Sequence, residues 1–284
     1  MMLPVRTLHQ GGLHLKAPTE DEIMKLNPAI EAGGTWRPKE CIRLKKVAII
    51  IPYRDRIDHL LKLLKTLFPM LQRQMLDFRI IVAEQYGNDL FNKGRIMNAA
   101  FTYAETLNVD CVIFHDVDMF PQDDRITYEC PNKPRHIGAY VNTHQYQLWY
   151  HELVGGVFAI TMKDYRKVNG YSNVYWGWGG EDDDMAKRII SQKLEIERLT
   201  EDYAKYTMLD HEKRKRVSSK LVLKLVKEAE SRWKTDGINE ASLWTINRID
   251  VRPLYYHLSI DVGKPPPEWK PNLLQKIWNY FFDP

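Results

Sequence analysis

Cysteine is scarce in this chain: its 284 residues include three, Cys41, Cys111 and Cys130. That excludes a disulfide-scaffold protein, and an odd number permits at most one bridge within the chain. Cys111 and Cys130 are 19 residues apart, a loop that a disulfide closes usefully, but three buried thiols are the equal alternative. Long apolar runs are missing too. None reaches the roughly 18–20 residues of a membrane span. The opening stretch MMLPVRTLHQGG has no apolar segment of signal-peptide type. As it stands the chain reads as soluble, with any anchor absent from it. It has no Asn-x-Ser/Thr sequon, no internal repeat and no low-complexity tract. Neither sign of charge dominates: 41 Lys and Arg against 37 Asp and Glu leave +4, too small an excess to imply a nucleic-acid partner.

What is present is an ordinary globular composition, 44% hydrophobic and 27% charged, of a length that suits one large domain or two small ones. The 8 Trp and 15 Tyr stand out; such rings line sugar and nucleotide sites or simply fill a core. Residues 1–44 carry turn formers such as Asn27-Pro28 and Gly33-Gly34 and read as an arm wrapped on a domain. Residues 45–264 read as that domain. Residues 265–284, behind the stop Lys264-Pro265-Pro266-Pro267, read as an aromatic-rich tail.

The apolar run Val47–Ile51, ended by Pro52, predicts a buried parallel strand. Ile57, Leu60, Leu61, Leu64, Phe68 and Leu71 follow at helical spacing. Phe78–Ala83 and Cys111–Phe114 predict two more strands, with a helix from Asn92 to Leu107 between them. This alternation is that of a parallel α/β sheet, whose ligands bind beyond the carboxyl ends of the strands. Further on, His136–Val141, Gly156–Ile160 and Leu254–Val262 read as strands. Asp182–Gln192 and Lys220–Lys234 read as helices.

Several constellations lie on the predicted binding edge. Asp116-Val117-Asp118 follows a strand directly. On an extended end, residues i and i+2 share a side, and paired carboxylates attract a hard divalent metal that can also grip a diphosphate. Arg54 and Arg56 follow the first strand, and guanidinium forks suit phosphate. The block Trp176-Gly177-Trp178-Gly179-Gly180-Glu181-Asp182-Asp183-Asp184 is rarer. Its glycines allow close backbone approach, its tryptophans can stack on a sugar or cover a site, and one of its acids can serve as a general base. Met208 and His211 stand three apart; alone they read as a core residue and an incidental histidine. Glu212-Lys213-Arg214-Lys215-Arg216 suits a solvated basic loop near a diphosphate as well as it suits nucleic acid.

With these blocks in one order, about 220 residues from Gly34 to Gly263 resemble the β-1,4-galactosyltransferase family. Its members add galactose, or N-acetylgalactosamine in some invertebrate members, to acceptor sugars from a UDP donor. The match includes Phe91-Asn92-Lys93-Gly94-Arg95, Pro134-Arg135-His136, Gly155-Gly156-Val157 and Ile260-Asp261-Val262-Gly263. The resemblance implies a GT-A glycosyltransferase fold: an α/β, Rossmann-like, mainly parallel sheet flanked by helices, with a flexible lid loop about Glu212 to Trp233. It also implies a bound Mn²⁺, UDP-Gal or UDP-GalNAc as donor, a glycan acceptor, and inversion at the anomeric carbon.

Residue by residue, the resemblance assigns donor binding to Arg54, Arg56, Lys93, Asp116, Trp178 and Leu153. The metal falls to Asp118, Met208 and His211. Glu181 and Asp182 are the catalytic carboxylates, with Asp182 as the base. Tyr150, Trp178, Asp182 and Asp183 face the acceptor. Cys111 and Cys130 match a family disulfide, whereas Cys41 has no evident partner. Leu153 stands where galactose-preferring relatives carry a tyrosine, so N-acetylgalactosamine is the expected donor sugar, with a strict galactosyltransferase as the alternative. Val222-Leu223 replace an expected Arg-Phe acceptor pair, and His115 is not the residue expected before the acidic pair. The branch that galactosylates xylose looks less similar. Family members are type II membrane proteins of the Golgi lumen. An inactive glycan-binding relative would lack a base or a metal ligand, and none is missing.

Overall fold

The computed structural model describes residues 16–39, 45–210 and 219–269. Cys41, His211, the Glu212–Arg216 run and most of the tail lie outside the described residues. In chain order the elements are α1 (Glu20–Leu26), β1 (Lys46–Tyr53), α2 (Ile57–Arg73), β2 (Asp77–Gln85), α3 (Lys93–Thr106), β3 (Cys111–His115) and β4 (Met119–Pro121). Then come β5 (Arg135–His136), β6 (Tyr140–Val141), β7 (Val157–Thr161), α4 (Met162–Lys167), α5 (Glu181–Ser191), β8 (Glu197–Arg198) and β9 (Lys205–Met208). The chain continues through α6 (Ser219–Lys227), α7 (Ala229–Arg232), β10 (Thr245–Val251) and β11 (Tyr256–Asp261).

β1 alternates faces as a strand must. Val47, Ile49 and Ile51 pack with Leu60, Leu64, Phe68 and Leu71 of α2. Ala48 and Ile50 pack on the other side with Ile96, Met97 and Ala100 of α3. Both faces are covered, which is why the run is apolar throughout. Ile57 is an exception to the predicted helical face, at 48% exposed.

Eight strands form one sheet in the order β10-β11-β2-β1-β3-β7-β5-β8, and β4-β9-β6 form a smaller one. β11, β2, β1 and β3 run parallel. The mainly parallel sheet expected from the sequence carries antiparallel pairings at its flanks: β7 runs antiparallel to β3 and β5, and β10 antiparallel to β11. After β3 the chain leaves through the small sheet and returns reversed, so no crossover helix restores the direction. The strand expected over His136–Val141 is likewise two pieces, one in each sheet. Gly138 separates them, and a Cβ there would stand 2.7 Å from the backbone nitrogen of Val157. β1 runs on through Pro52 to Tyr53, held by β2 alone after its pairing with β3 stops at Ile50–Phe114. Lys220–Lys234 is two helices that break at Glu228. The amino-terminal arm holds an unforeseen helix, α1, with a capping box between Thr19 and Glu22. Its Ile23 is buried in the α2-side core.

Cys111 and Cys130 are joined, with Cα atoms 5.5 Å apart. The bridge ties the start of β3 to the segment that leaves the acidic turn. Buried His115 steadies the same turn. Its Nδ1 donates to the Asp116 carbonyl and its Nε2 accepts from the Tyr128 hydroxyl, both at 2.9 Å. Burial pushes its imidazole down to about 4, so it stays neutral.

Candidate active site

The carboxyl ends of β1 and β3, the amino terminus of α3, the start of β7 and the amino terminus of α5 meet at one edge of the large sheet. Asp116 and Asp118 do not lie on an extended strand end, as the spacing suggested. They sit in a turn closed by the Met119 amide, which donates to the Asp116 carbonyl at 3.2 Å. Their carboxylates take different cations. Asp118 Oδ2 accepts from Arg56 at 3.0 Å, and Asp116 Oδ1 lies 3.0 Å from Lys93 Nζ.

Lys93 is the first residue of α3, capped by the Asn92 side chain. Its ammonium faces α5, 3.5 Å from Glu181 and 3.6 Å from Asp182. The start of α3 packs against Ser172 because Gly94 lacks a side chain; a Cβ would stand 2.0 Å from the Ser172 carbonyl oxygen. Burial pulls the Lys93 ammonium down, but Asp116, Asp182 and Glu181 outweigh it and hold it well above its usual value. Burial pushes the Asp182 carboxyl up to about 8, opposed by Lys93 and reinforced by Glu181, Asp116 and Asp183. Asp116 is raised as well, first by burial, with Lys93 opposing and Asp118 and Glu181 adding.

The acidic run divides by helical geometry. Glu181 and Asp182 face Lys93, and Asp183 accepts from the Tyr150 hydroxyl at 2.5 Å. Asp184 turns inward, fully buried, and accepts from the Tyr175 hydroxyl and from Arg188 and Arg232. Arg188 and Arg232 continue to Asp236 at 3.0 and 2.8 Å. This inner network locks α5 to α7. Sequence reasoning missed it; the i,i+4 spacing of Asp184 and Arg188 was the available signal.

The glycine-tryptophan frame also divides. Gly177, Gly179 and Gly180 all have positive φ, at 85°, 95° and 97°. Trp176 is buried under the Arg95 guanidinium, 4.9 Å from its ring centre. Trp178 is 45% exposed. Of the two rings, Trp178 alone is turned to solvent. Val222 does not reach toward solvent but packs on Gly180, while Leu223 is exposed.

Arg54 stacks over Phe91 at 5.2 Å and donates to the Asp89 carbonyl at 2.7 Å. It lines a cavity of about 430 Å³ beyond the ends of β1, β2 and β11, with Glu84, Gln85 and Asn88. Leu153 lies on the approach to β7: a Cβ on Gly155 would stand 3.6 Å from its Cδ1 and 2.7 Å from Asp182 Oδ2. Arg198 holds the Leu153 carbonyl at 3.0 Å.

Met208 pairs with Met119 across β9 and β4, and the Leu209 amide donates to the Asp118 carbonyl at 2.9 Å. Asp118 and Met208 are therefore neighbours along the paired backbones, with Met208 packed against the α2-side core, and His211 lies outside the described residues. Among the described residues no cluster of three or more His, Cys, Asp or Glu forms a metal cage by itself. The Asp118 carboxylate, which already draws a cation in Arg56, is the hard ligand here and could share an ion with ligand oxygens; the Met208 thioether is a soft one.

Two family descriptions match the sequence: the N-terminal region of glycosyl transferase group 7 over residues 5–131, and the N-terminal domain of galactosyltransferase over residues 135–212. Together they cover most of the chain. The rat β-1,4-galactosyltransferase 4 is 40% identical over 246 residues, 86% of this chain and 71% of the rat protein. The chain belongs to the β-1,4-galactosyltransferase family. It is an enzyme of that family, built on the GT-A glycosyltransferase fold. Mouse β-1,4-galactosyltransferase 5 is 42% identical over 85% of this chain and 62% of the mouse protein. Among solved structures, the catalytic domain of Drosophila β-1,4-galactosyltransferase 7 with xylobiose matches at a TM-score of 0.66. It is 26% identical, over 78% of this chain and 95% of that one. A single-residue variant of the same fly protein, in complex with manganese, UDP-Gal and xylobiose, matches at 0.67. No helix among the described residues of this galactosyltransferase-family chain is long and apolar enough to cross a membrane.

Proposed function

We propose that this chain transfers galactose from UDP-Gal to a hydroxyl of an acceptor sugar, forming a β-1,4 linkage with inversion. The observation that carries this reading is the convergence of Asp182, Glu181 and Asp116 on Lys93 beside the Asp118–Arg56 pair, at the ligand-binding edge of the sheet. Arg54 and Arg56 grip the nucleotide diphosphate. Asp118, Met208 and His211 would hold Mn²⁺, which would supply Lewis-acid neutralisation of the diphosphate charge. Asp182 takes the acceptor hydroxyl proton as the new C1–O bond forms and the bond to UDP breaks. Glu181 and the Tyr150–Asp183 pair orient the acceptor, a terminal GlcNAc-type sugar. Trp178 covers the site and excludes water.

The relatives' names support galactose, and the expectation of N-acetylgalactosamine finds no support in them. Leu153 is the one observation that favours it as a second reading: an aliphatic side chain beside the proposed base leaves room for an N-acetyl group. The Cys111–Cys130 bridge suits an oxidising compartment, in keeping with a Golgi-luminal site of action.

The test is a screen with Mn²⁺ of UDP-Gal and UDP-GalNAc against GlcNAc, xylose and glucose. Transfer from UDP-Gal to GlcNAc is expected. A tenfold preference for UDP-GalNAc would favour the second reading, and no transfer from either donor would overturn both.

A further inference from the structure

We infer that Arg232 is a positioning residue for the acceptor half of the site: it clasps α6 onto Gly180 and so fixes the turn that carries Trp178, Glu181 and Asp182. The inference rests on the proposed galactosyl transfer.

α5 starts without a side-chain cap. Its cap residue is Gly180, at φ 97°, and four acids fill its first turn. The start of this helix is therefore held from outside. A Cβ on Gly180 would stand 2.7 Å from Tyr175 Cε1 and 2.7 Å from Val222 Cγ1. Tyr175 and Val222 of α6 thus both close on the glycine that joins the Trp178 turn to Glu181. α6 has nine residues, too few to persist as an isolated helix. Its Leu221, Val222, Leu225 and Val226 pack on the core at the α3 face of the sheet.

Arg232, the last residue of α7, ties α6 to α5. Its Nη1 donates to the Leu225 carbonyl in the last turn of α6, at 3.0 Å. Its Nη2 donates to the Asp184 carboxylate of α5 and to the Tyr175 hydroxyl, at 2.5 and 3.3 Å. Its Nε donates to Asp236 at 2.8 Å. A planar fork can divide its donors among partners in this way, and a point charge cannot. Asp184 is fully buried, and Arg188 takes its other oxygen. The donor-side pair Arg56 and Asp118 sits beyond the ends of β1 and β3, on elements other than those Arg232 joins. Loss of the clasp therefore falls on the acceptor half. α6 leaves its seat on Gly180, and Trp178 and the start of α5 lose their fixed position. Water then competes with the acceptor hydroxyl for C1 of the donor, giving free galactose and UDP.

The experiment compares wild type, Arg232→Met, Arg232→Lys and Val222→Ala by three readouts: amide hydrogen exchange over residues 178–182 and 219–227, UDP-Gal binding by calorimetry with Mn²⁺, and the ratio of donor hydrolysis to transfer. Arg232→Met is expected to raise that ratio by about tenfold or more, to lower kcat/KM for the acceptor by about 10²-fold, and to leave the UDP-Gal Kd within about twofold. Exchange should quicken in both segments. Arg232→Lys should recover part of the loss, since it restores the charge without the fork. Val222→Ala leaves the buried charges intact and should move the ratio in the same direction. An unchanged ratio in an Arg232→Met protein that binds UDP-Gal makes Arg232 a residue of the core alone and overturns the inference. A tenfold rise in the UDP-Gal Kd places its effect on the donor side and overturns it too. If Arg232→Met does not fold, Val222→Ala carries the test by the same ratio. If wild type transfers no sugar, the functional reading falls, and the exchange data then decide whether Arg232 seats α6 on Gly180.

Discussion

Leu153 and Asp182 flank Gly155. A Cβ on that glycine would stand 2.7 Å from Asp182 Oδ2 and 3.6 Å from Leu153 Cδ1. A residue on the approach to β7 thus borders the same space beside Gly155 as a carboxylate at the start of α5. Leu153→Tyr fills that space with a ring and a hydroxyl. The change is expected to shift the ratio of kcat/KM for UDP-GalNAc against UDP-Gal toward UDP-Gal by roughly 10–200-fold. Competition between the two donors, read by mass spectrometry of the product, measures it. An unchanged ratio would remove Leu153 from the donor pocket.

Asp182→Asn keeps the shape of the side chain and removes its basicity. UDP-sugar binding should persist while turnover drops by about 10²–10⁴-fold. Single-turnover rates with saturating acceptor isolate the chemical step. A variant that retained a tenth of the wild-type rate would leave the base unidentified.

Asp118→Ala removes the carboxylate that Arg56 now holds at 3.0 Å. Mn²⁺-dependent UDP binding should be lost, with the melting temperature within a few degrees of wild type. Calorimetry with and without EDTA distinguishes the two binding modes. Full transfer in EDTA would contradict a metal-assisted donor site.

His136 links acid sensitivity to the fold. Its Nε2 donates to the Gly155 carbonyl at 2.8 Å, and burial, aided by Arg198, pushes its imidazole from 6.5 down to about 3. The folded protein holds this histidine neutral, so its contribution is present above 6.5 and is lost as pH falls from 6.5 toward 3. Melting temperatures should decline over that range. His136→Gln, which retains an N–H for Gly155 but does not titrate, should show a shallower decline. Equal slopes in the two proteins would assign the acid sensitivity elsewhere.

Much of this molecule was readable along the chain. The continuous apolar run Val47–Ile51, followed by helical spacing, predicted the central strand, because burial on both faces leaves no room for polar residues. The helix from Asn92 was predicted within a residue of its observed start, because an asparagine cap is a local signal. The colinear blocks around Asp116, Glu181 and Cys111 carried the family, because residue identity at fixed spacing is a property of sequence alone. What the sequence could not decide is which groups face one another. Four acids in a row look alike, yet Asp184 is buried with Arg188 while Asp182 meets Lys93. The acidic turn sends its two carboxylates to cations on different elements, Arg56 after β1 and Lys93 on α3. The reversed flank of the sheet and the halved strand at Gly138 follow from where the returning chain finds space. These are outcomes of long-range packing and of the mutual desolvation of charges, and only the assembled tertiary structure sets them.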